Sequence, residues 1–346
     1  MTRVLITGGA GFIGSNLVQE LHAKGYDSVV LDSLSPQIHG EDPMASPLVQ
    51  SLGGKARLVH ASIMDRGVIA EELANTDIVV HYAAETGTGQ SMYNVHDYCN
   101  VNIGGTSLML DLLGEMKHTV RRMIVASSRS IYGEGRYQDS AGVDIYPGAR
   151  VDADMLAGKF EPLDPNTGAA YTLCPTDEAS KIHPSSVYGI TKQVQEQLVM
   201  TVCPTLGIEP VALRYQNVYG PGQSLSNPYT GILSIFSNLI MQGKSINIFE
   251  DGLESRDFVF IDDVVAATML AIEHNAAPGF AYNVGSGVAT TVLQVVDALV
   301  AAYDLPTKST VTGQFRLGDI RHNYADLSLI SKRLGFAPTI SFEKGI

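Results

Sequence analysis

Along its first 130 residues the chain alternates short, β-branched apolar runs with longer segments whose apolar positions recur at helical spacing. Short continuous apolar runs suit strands covered on both faces, and the intervening segments suit the covering helices. The alternation therefore predicts βαβ units feeding a parallel sheet. The predicted strands are Val4–Thr7, Ser28–Leu31, Ala56–His60, Ile78–His81 and Met123–Ala126, joined later by Val211–Tyr215 and Ala281–Val284. Helices are predicted at Asn16–Lys24, Thr106–Met116, Gly231–Gln242 and Thr291–Tyr303. The expected fold class is α/β, a doubly wound parallel sheet with a smaller C-terminal α+β substrate domain.

Residues 137–184 break this rhythm with scattered Gly, Pro and Asp and little apolar periodicity. Long structureless segments inside compact domains tend to be functional, so this stretch is read as an insertion folding over a site. After Asn217 the alternation weakens. The predicted division is a Rossmann-type first domain at 1–216, carrying the insertion, and a smaller second region at 217–346 whose chain returns to the first domain at about 256–284.

The 346 residues carry 23 Lys+Arg against 36 Asp+Glu, a net charge of -13, with no basic run, which argues against nucleic acid as a partner. Hydrophobic residues at 45% and charged residues at 17% describe a globular chain, and no apolar stretch approaches the roughly 20 residues that span a bilayer. The start, Met1-Thr2-Arg3-Val4, lacks the features of a secretion signal, and Cys99, Cys174 and Cys203 are too scattered for a disulfide framework. A cytoplasmic protein with free thiols is expected. The histidines, among them His39, His60, His81, His96, His183 and His322, show no metal-ligand spacing, so no metal is expected. Phe342-Glu343-Lys344-Gly345-Ile346 reads as the opening of a helix that stops abruptly, as if the natural chain continued.

Chemistry first appears where the first strand meets the first helix. Thr7-Gly8-Gly9-Ala10-Gly11-Phe12-Ile13-Gly14 gives Gly8-x-x-Gly11-x-x-Gly14, a Rossmann-type fingerprint in the strand-to-helix context it requires. Such glycines allow a tight turn and let a pyrophosphate approach the positive end of a helix. Asp32, ending the second strand eighteen residues past Gly14, can accept hydrogen bonds from ribose hydroxyls. No Arg adjoins it to neutralise a 2'-phosphate, so the cofactor expected is NAD.

Tyr188 and Lys192 stand at i and i+4, on one face of a helix. A lysine and a cationic nicotinamide both lower the pKa of a phenol, which makes Tyr188 a usable proton acceptor. Upstream, Met123–Ala126 runs into Ser127-Ser128-Arg129-Ser130-Ile131-Tyr132-Gly133, which delivers hydroxyls to the carboxyl end of a strand, where open α/β sheets bind ligands.

With these pieces in this order, the chain resembles the extended short-chain dehydrogenase/reductase family and, within it, the NAD-dependent nucleotide-sugar epimerases and dehydratases. The likeness extends through Asn217-Val218-Tyr219-Gly220-Pro221-Gly222 and Arg256-Asp257-Phe258 to Arg316-Leu317-Gly318-Asp319. It implies that Ser128, Tyr188 and Lys192 are catalytic. It also implies that Gly8, Gly11, Phe12, Ile13, Gly14, Asp32, Ser62, Ile63, Ala83 and Asn102 line the cofactor together with Tyr188 and Lys192. Ala61-Ser62 replaces the family's Gly-Asp at the third strand. For the nucleotide-sugar, the resemblance implies Arg256, Arg316 and Asn217 on the diphosphate and Asp319 on the ribose, with Ser128, Glu85, Thr86, Gly87 and Ser91 beside the sugar. Asn227 and Tyr229 are weaker candidates there.

Dehydratases of this family follow the catalytic hydroxyl with Asp-Glu. Here Arg129 and Ser130 follow Ser128, leaving elimination without its carboxylates. A 4-epimerase is therefore expected, oxidising the sugar at carbon 4 and returning hydride to the other face. The segments 31–40 and 83–92 and the long insertion resemble the dTDP-L-rhamnose 4-epimerase branch. Phe258 and Thr86 stand where UDP-galactose 4-epimerases often have Tyr and Lys, yet UDP-hexose or UDP-uronate epimerisation remains the alternative, followed by a ketoreductase or dehydrogenase with exchangeable cofactor. The resemblance also implies a homodimer. Both expected ligands are anions facing a net charge of -13, so their affinity must come from local donors: the helix end at Gly11–Gly14 and the pair Arg256 and Arg316.

Overall fold

The computed structural model describes residues 1–224, 231–316 and 319–346, so Asn227 and Tyr229, like Leu317 and Gly318, lie outside the described residues. All seven predicted strands form one sheet: β1 Arg3–Thr7, β2 Asp27–Asp32, β3 Arg57–His60, β4 Ile78–His81, β5 Arg122–Ser128, β6 Glu209–Tyr215 and β7 Phe280–Val284. Their order is β7-β6-β5-β4-β1-β2-β3, and every pairing is parallel. The order reverses between β1 and β4, which opens a crevice beyond the strand ends there.

The seven principal helices are α1 Phe12–Ala23, α2 Arg66–Leu73, α3 Gly105–Glu115, α4 Val187–Val202, α5 Ile232–Met241, α6 Ile261–Glu273 and α7 Val292–Tyr303. The sheet's period of two sorts its side chains into two cores. Val4, Ile6, Val30, Val80 and Ile124 meet Leu17, Leu21 and Val264 on one face. Leu5, Val29, Val79, Met123 and Val125 meet Leu73, Met109, Leu113 and Val199 on the other. Burial on both faces explains why the strands read as continuous apolar runs. Helix α1 starts four residues before Asn16 because its buried stripe, Gly14, Ser15, Leu17, Val18 and Leu21, begins with small residues that carry no apolar signal.

A third core joins Leu233, Phe236 and Ile240 of α5 with Val292, Val295, Val296 and Leu299 of α7. Short pairings run beside it, Asn217–Tyr219 with Phe258–Phe260 and Ile246–Ile248 with Ser309–Val311. From there the chain re-enters the large sheet through α6, which packs on α1, and β7, which pairs with β6.

The insertion is not structureless. Tyr137–Gln138 pairs antiparallel with both Asp144–Ile145 and Thr172–Leu173, and Asp152–Leu156 is helical. Its periodicity was invisible because these strands are two residues long. Ion pairs fasten it instead: Arg150 to Glu250 at 2.7 Å, and Glu161 to Arg321 at 2.7 Å. Arg321 is fully buried and reaches Glu250 and Asp251 as well.

Candidate active site

The turn between β1 and α1 is built for close approach. Gly8 has φ +67°, and a Cβ there would lie 2.7 Å from the Ala83 backbone nitrogen at the end of β4. A Cβ on Gly14 would lie 2.5 Å from Gly9 Cα. Gly11 is the N-cap of α1 and offers no side-chain acceptor, so the first-turn amides of Phe12 and Ile13 face outward at the positive end of a twelve-residue helix. Asp32 is buried; its Oδ2 accepts from Ala10 N at 3.0 Å and its Oδ1 from Leu34 N at 2.8 Å. Each oxygen keeps a lone pair for a hydroxyl, so one carboxylate shapes the turn and still presents an acceptor. A glycine cradle, a helix end with free donors and an acidic strand end together fit a dinucleotide.

Around this turn the other predicted cofactor residues hold unequal positions. Ala83 N donates to Thr7 Oγ1 at 3.3 Å. Ile63 is buried, and a Cβ on Gly105 would come within 2.6 Å of it. Ser62 is exposed, its Oγ accepting from Met64 N at 3.1 Å, while Asp65 caps α2 through Val68 N. Asn102 is fully buried, and its amide is spent on the backbone of Glu85, at 2.7 and 3.1 Å, and on Thr191 Oγ1 at 2.9 Å. It thereby ties the loop after β4 to α4.

Helix α4 is capped by Ser186, whose Oγ accepts from Gly189 N at 3.1 Å. Tyr188 in its first turn lies beside Ser128 at the end of β5. Burial raises the phenol's pKa, and the neighbouring Ser128 hydroxyl and the Arg129 charge pull it back. Ser130 Oγ lies 2.9 Å from Ser128 Oγ, so two hydroxyls gather beside the phenol. One helical turn on, Lys192 Nζ donates to Ala126 O at 2.8 Å and Gln195 Oε1 at 2.9 Å, and burial lowers its pKa to about 7.

Behind Lys192 lies a polar group that the sequence reading passed over. His81, noted there only for its lack of metal-ligand spacing, bonds Thr7 Oγ1 at 2.7 Å and Thr106 Oγ1 at 2.9 Å, and Gln195 Nε2 approaches its Nε2 at 3.2 Å. Burial, helped by the Lys192 charge, depresses the imidazole to about 3. The neutral ring links β1, β4, α3 and α4 beneath the lysine. Gln195 was within reach of sequence reasoning, since it follows Lys192 at i+3 on the same face; His81 carried no such signal.

The sugar-side residues divide similarly. Glu85 has its pKa raised by burial and, secondarily, by Asp97, and Thr86 O and Gly87 O accept from the Tyr98 hydroxyl. Ser91 is fully buried and spends its hydroxyl on Thr88 O at 2.6 Å and Tyr188 N at 3.0 Å. It supports the first turn of α4 and opens on no surface that a sugar could touch.

On the far side, Arg129 Nε donates to Asn217 Oδ1 at 3.0 Å. Arg256 donates to the carbonyls of Ser255, Ile320 and Arg321 at 2.7–2.9 Å, which leaves its Nε–H and one Nη2–H uncommitted. The carboxylate of Asp319 is felt by both Arg129 and Arg256. Arg316 is not drawn into this group: it is exposed, its guanidinium 4.9 Å from the centre of the Phe249 ring, beside a cavity of about 520 Å³ lined also by Leu156 and Phe315.

A serine at the end of β5 facing a tyrosine and a lysine on α4, beside a dinucleotide-type turn, is the arrangement of the short-chain dehydrogenase/reductases. Comparison with known proteins narrows that class: the chain belongs to the NAD dependent epimerase/dehydratase family, whose model it matches over residues 4–148 and 165–285. It is 38% identical over 347 residues to a dTDP-L-rhamnose 4-epimerase of Burkholderia thailandensis, covering 99% of this chain and 93% of that one. Among solved structures, the UDP-glucose 4-epimerase of Thermotoga maritima with UDP-glucose is 29% identical, with a TM-score of 0.78 over 99% of this chain and 96% of that one. The UDP-glucuronic acid 4-epimerase of Bacillus cereus, in complex with UDP-glucuronic acid and NAD, is 25% identical, with a TM-score of 0.77 over 99% and 96%.

Proposed function

We propose that the chain is an NAD-dependent nucleotide-sugar 4-epimerase, an isomerase, whose substrate is a dTDP-6-deoxy-L-hexose such as dTDP-L-rhamnose. The observation that carries this reading is the juxtaposition of Tyr188 with Ser128 at the end of β5, with Arg129 and Ser130 following where an elimination would need carboxylates. The identity to the Burkholderia enzyme supports the choice of sugar.

NAD when bound accepts and returns the hydrogen of carbon 4. Tyr188 takes the proton of the 4-hydroxyl, and Ser128 donates to the carbonyl oxygen as it forms. Lys192, held against Ala126 O one helical turn from the phenol, favours the ionised phenol when it is itself protonated. Gly8 to Gly14 and Asp32 hold the dinucleotide, and Arg256 with Asn217 takes the diphosphate. The same reading makes the protein a homodimer paired through helices that include α4, on which Ile190 is exposed.

Incubating the holoenzyme with dTDP-L-rhamnose in deuterated water and following carbon 4 by NMR tests the proposal. The expected product is the carbon-4 epimer, without solvent deuterium at that carbon and with stoichiometric NAD released on denaturation. Deuterium at carbon 4 overturns the mechanism. Faster turnover of UDP-hexoses or UDP-uronates overturns the choice of sugar, and an NAD-free protein points to the exchangeable ketoreductase.

A further inference from the structure

Arg129 entered the sequence reading only as a residue that is not a carboxylate. In the structure it sits directly after Ser128, and Nε is its only nitrogen with a partner among the described residues; Nη1 and Nη2 have no hydrogen bond there and no carboxylate within 4.0 Å. Its neighbours sharpen the problem. Burial depresses the guanidinium to about 9, and the nearby charge of Arg256 depresses it further, with Asp319 and Glu134 offering only partial relief. Two cations held close in a partly desolvated pocket are unfavourable without an anion between them. The amide of Asn217 adds to this polarity: its Oδ1 faces Arg129, so its Nδ2 donors point the other way and no described group takes them.

We infer that Arg129 is a substrate-anchoring residue that binds the phosphate bearing the sugar, through Nη1 and Nη2, with Asn217 and Arg256 completing the donor set. A guanidinium presents two parallel N–H groups suited to two oxygens of one phosphate. Arg129 directly follows Ser128 in the chain, and its charge reaches Tyr188. Fixing the phosphate there sets the distance from the anomeric carbon to the catalytic hydroxyls. Arg129 would thus act on position as well as on affinity, and its charge would favour the phenolate that the proton transfer needs.

The inference rests on the nucleotide-sugar reading above, and the test separates the two. Holoenzyme and the variants Arg129→Ala and Arg129→Lys are titrated calorimetrically with dTDP, UDP and dTMP. The terminal phosphate of a nucleoside diphosphate stands in for the one that carries the sugar, and dTMP lacks it. Arg129→Ala is expected to weaken the diphosphate about tenfold or more while changing dTMP less than about twofold, and Arg129→Lys, which keeps charge without the fork, falls between. Unchanged diphosphate binding in Arg129→Ala, or equal loss for dTDP and dTMP, overturns the assignment and leaves the epimerase reading standing. A wild-type holoenzyme that binds neither dTDP nor UDP overturns both. NAD content equal to wild type shows that the variants keep the dinucleotide half intact. The pH profile of kcat gives a second readout: its acidic limb is expected to move to higher pH in Arg129→Ala, and an unmoved limb removes the effect on Tyr188.

Discussion

Replacing Gly8 by alanine would strike the cofactor turn through two separable costs. The backbone there has φ +67°, a left-handed conformation that costs an L-residue about 1–2 kcal/mol. The new methyl would also lie 2.7 Å from Ala83 N and 2.8 Å from Ala83 Cα, both backbone atoms that cannot rotate away. Overpacking of this kind adds roughly 1–3 kcal/mol. Gly25, which follows α1 with φ +77°, has nothing within 4 Å of its notional Cβ and so isolates the first cost. In guanidinium denaturation Gly25→Ala should lose about 1–2 kcal/mol and Gly8→Ala about 2–5 kcal/mol. Only Gly8→Ala should emerge from purification depleted of NAD, because relieving the contact means moving the turn away from β4. Equal losses from the two variants, or full NAD content in Gly8→Ala, would refute the claim that close approach to Ala83 shapes the site.

Two further outcomes follow from the charges. Arg256→Ala should weaken nucleotide-sugar binding tenfold or more, as loss of a charge-assisted phosphate contact does, while leaving retained NAD untouched; equal loss of both would show that the two ligands do not divide the donors in this way. In cofactor-free protein, Lys192 titrates near 7 when folded and near 10.5 when unfolded. The unfolded chain therefore binds more protons between those values, so this lysine makes stability rise with pH across that window. Lys192→Met removes the slope, and its denaturation midpoint should fall progressively behind wild type from pH 7 to 10; a constant gap would contradict the depressed pKa.

Where local rules decide the outcome, the chain is legible. Ile78–His81 matches its strand residue for residue because four apolar-flanked positions buried on both faces leave no other pattern. Gly8 and Gly14 announce themselves because only glycine tolerates those contacts. What escapes is whatever depends on partners distant in sequence. Asn102 reads as a cofactor residue, yet its amide is spent on Glu85 and Thr191, 17 and 89 positions away. Ser91 looks like a pocket residue until Tyr188 N, 97 positions on, takes its hydroxyl. Arg129 follows Ser128 openly, but that its Nη1 and Nη2 lack a partner among the described residues appears only when the segments of Asn217 and Arg256 are folded around it.

The ion pairs that fasten the insertion bear on how such enzymes can be altered. Arg321 and Glu250 are buried, and their compensation comes partly from Glu161 and Arg150, which the insertion supplies. Excising or exchanging that segment alone would leave Arg321 to Glu250 and Asp251 and take from Glu250 its second arginine, at a cost on the order of 3–5 kcal/mol for the buried Arg150–Glu250 pair. The segment is therefore no interchangeable cassette. Grafting it onto a relative, in the laboratory or in the course of descent, requires the Glu250–Asp251 turn and Arg321 to travel with it as a single inherited unit.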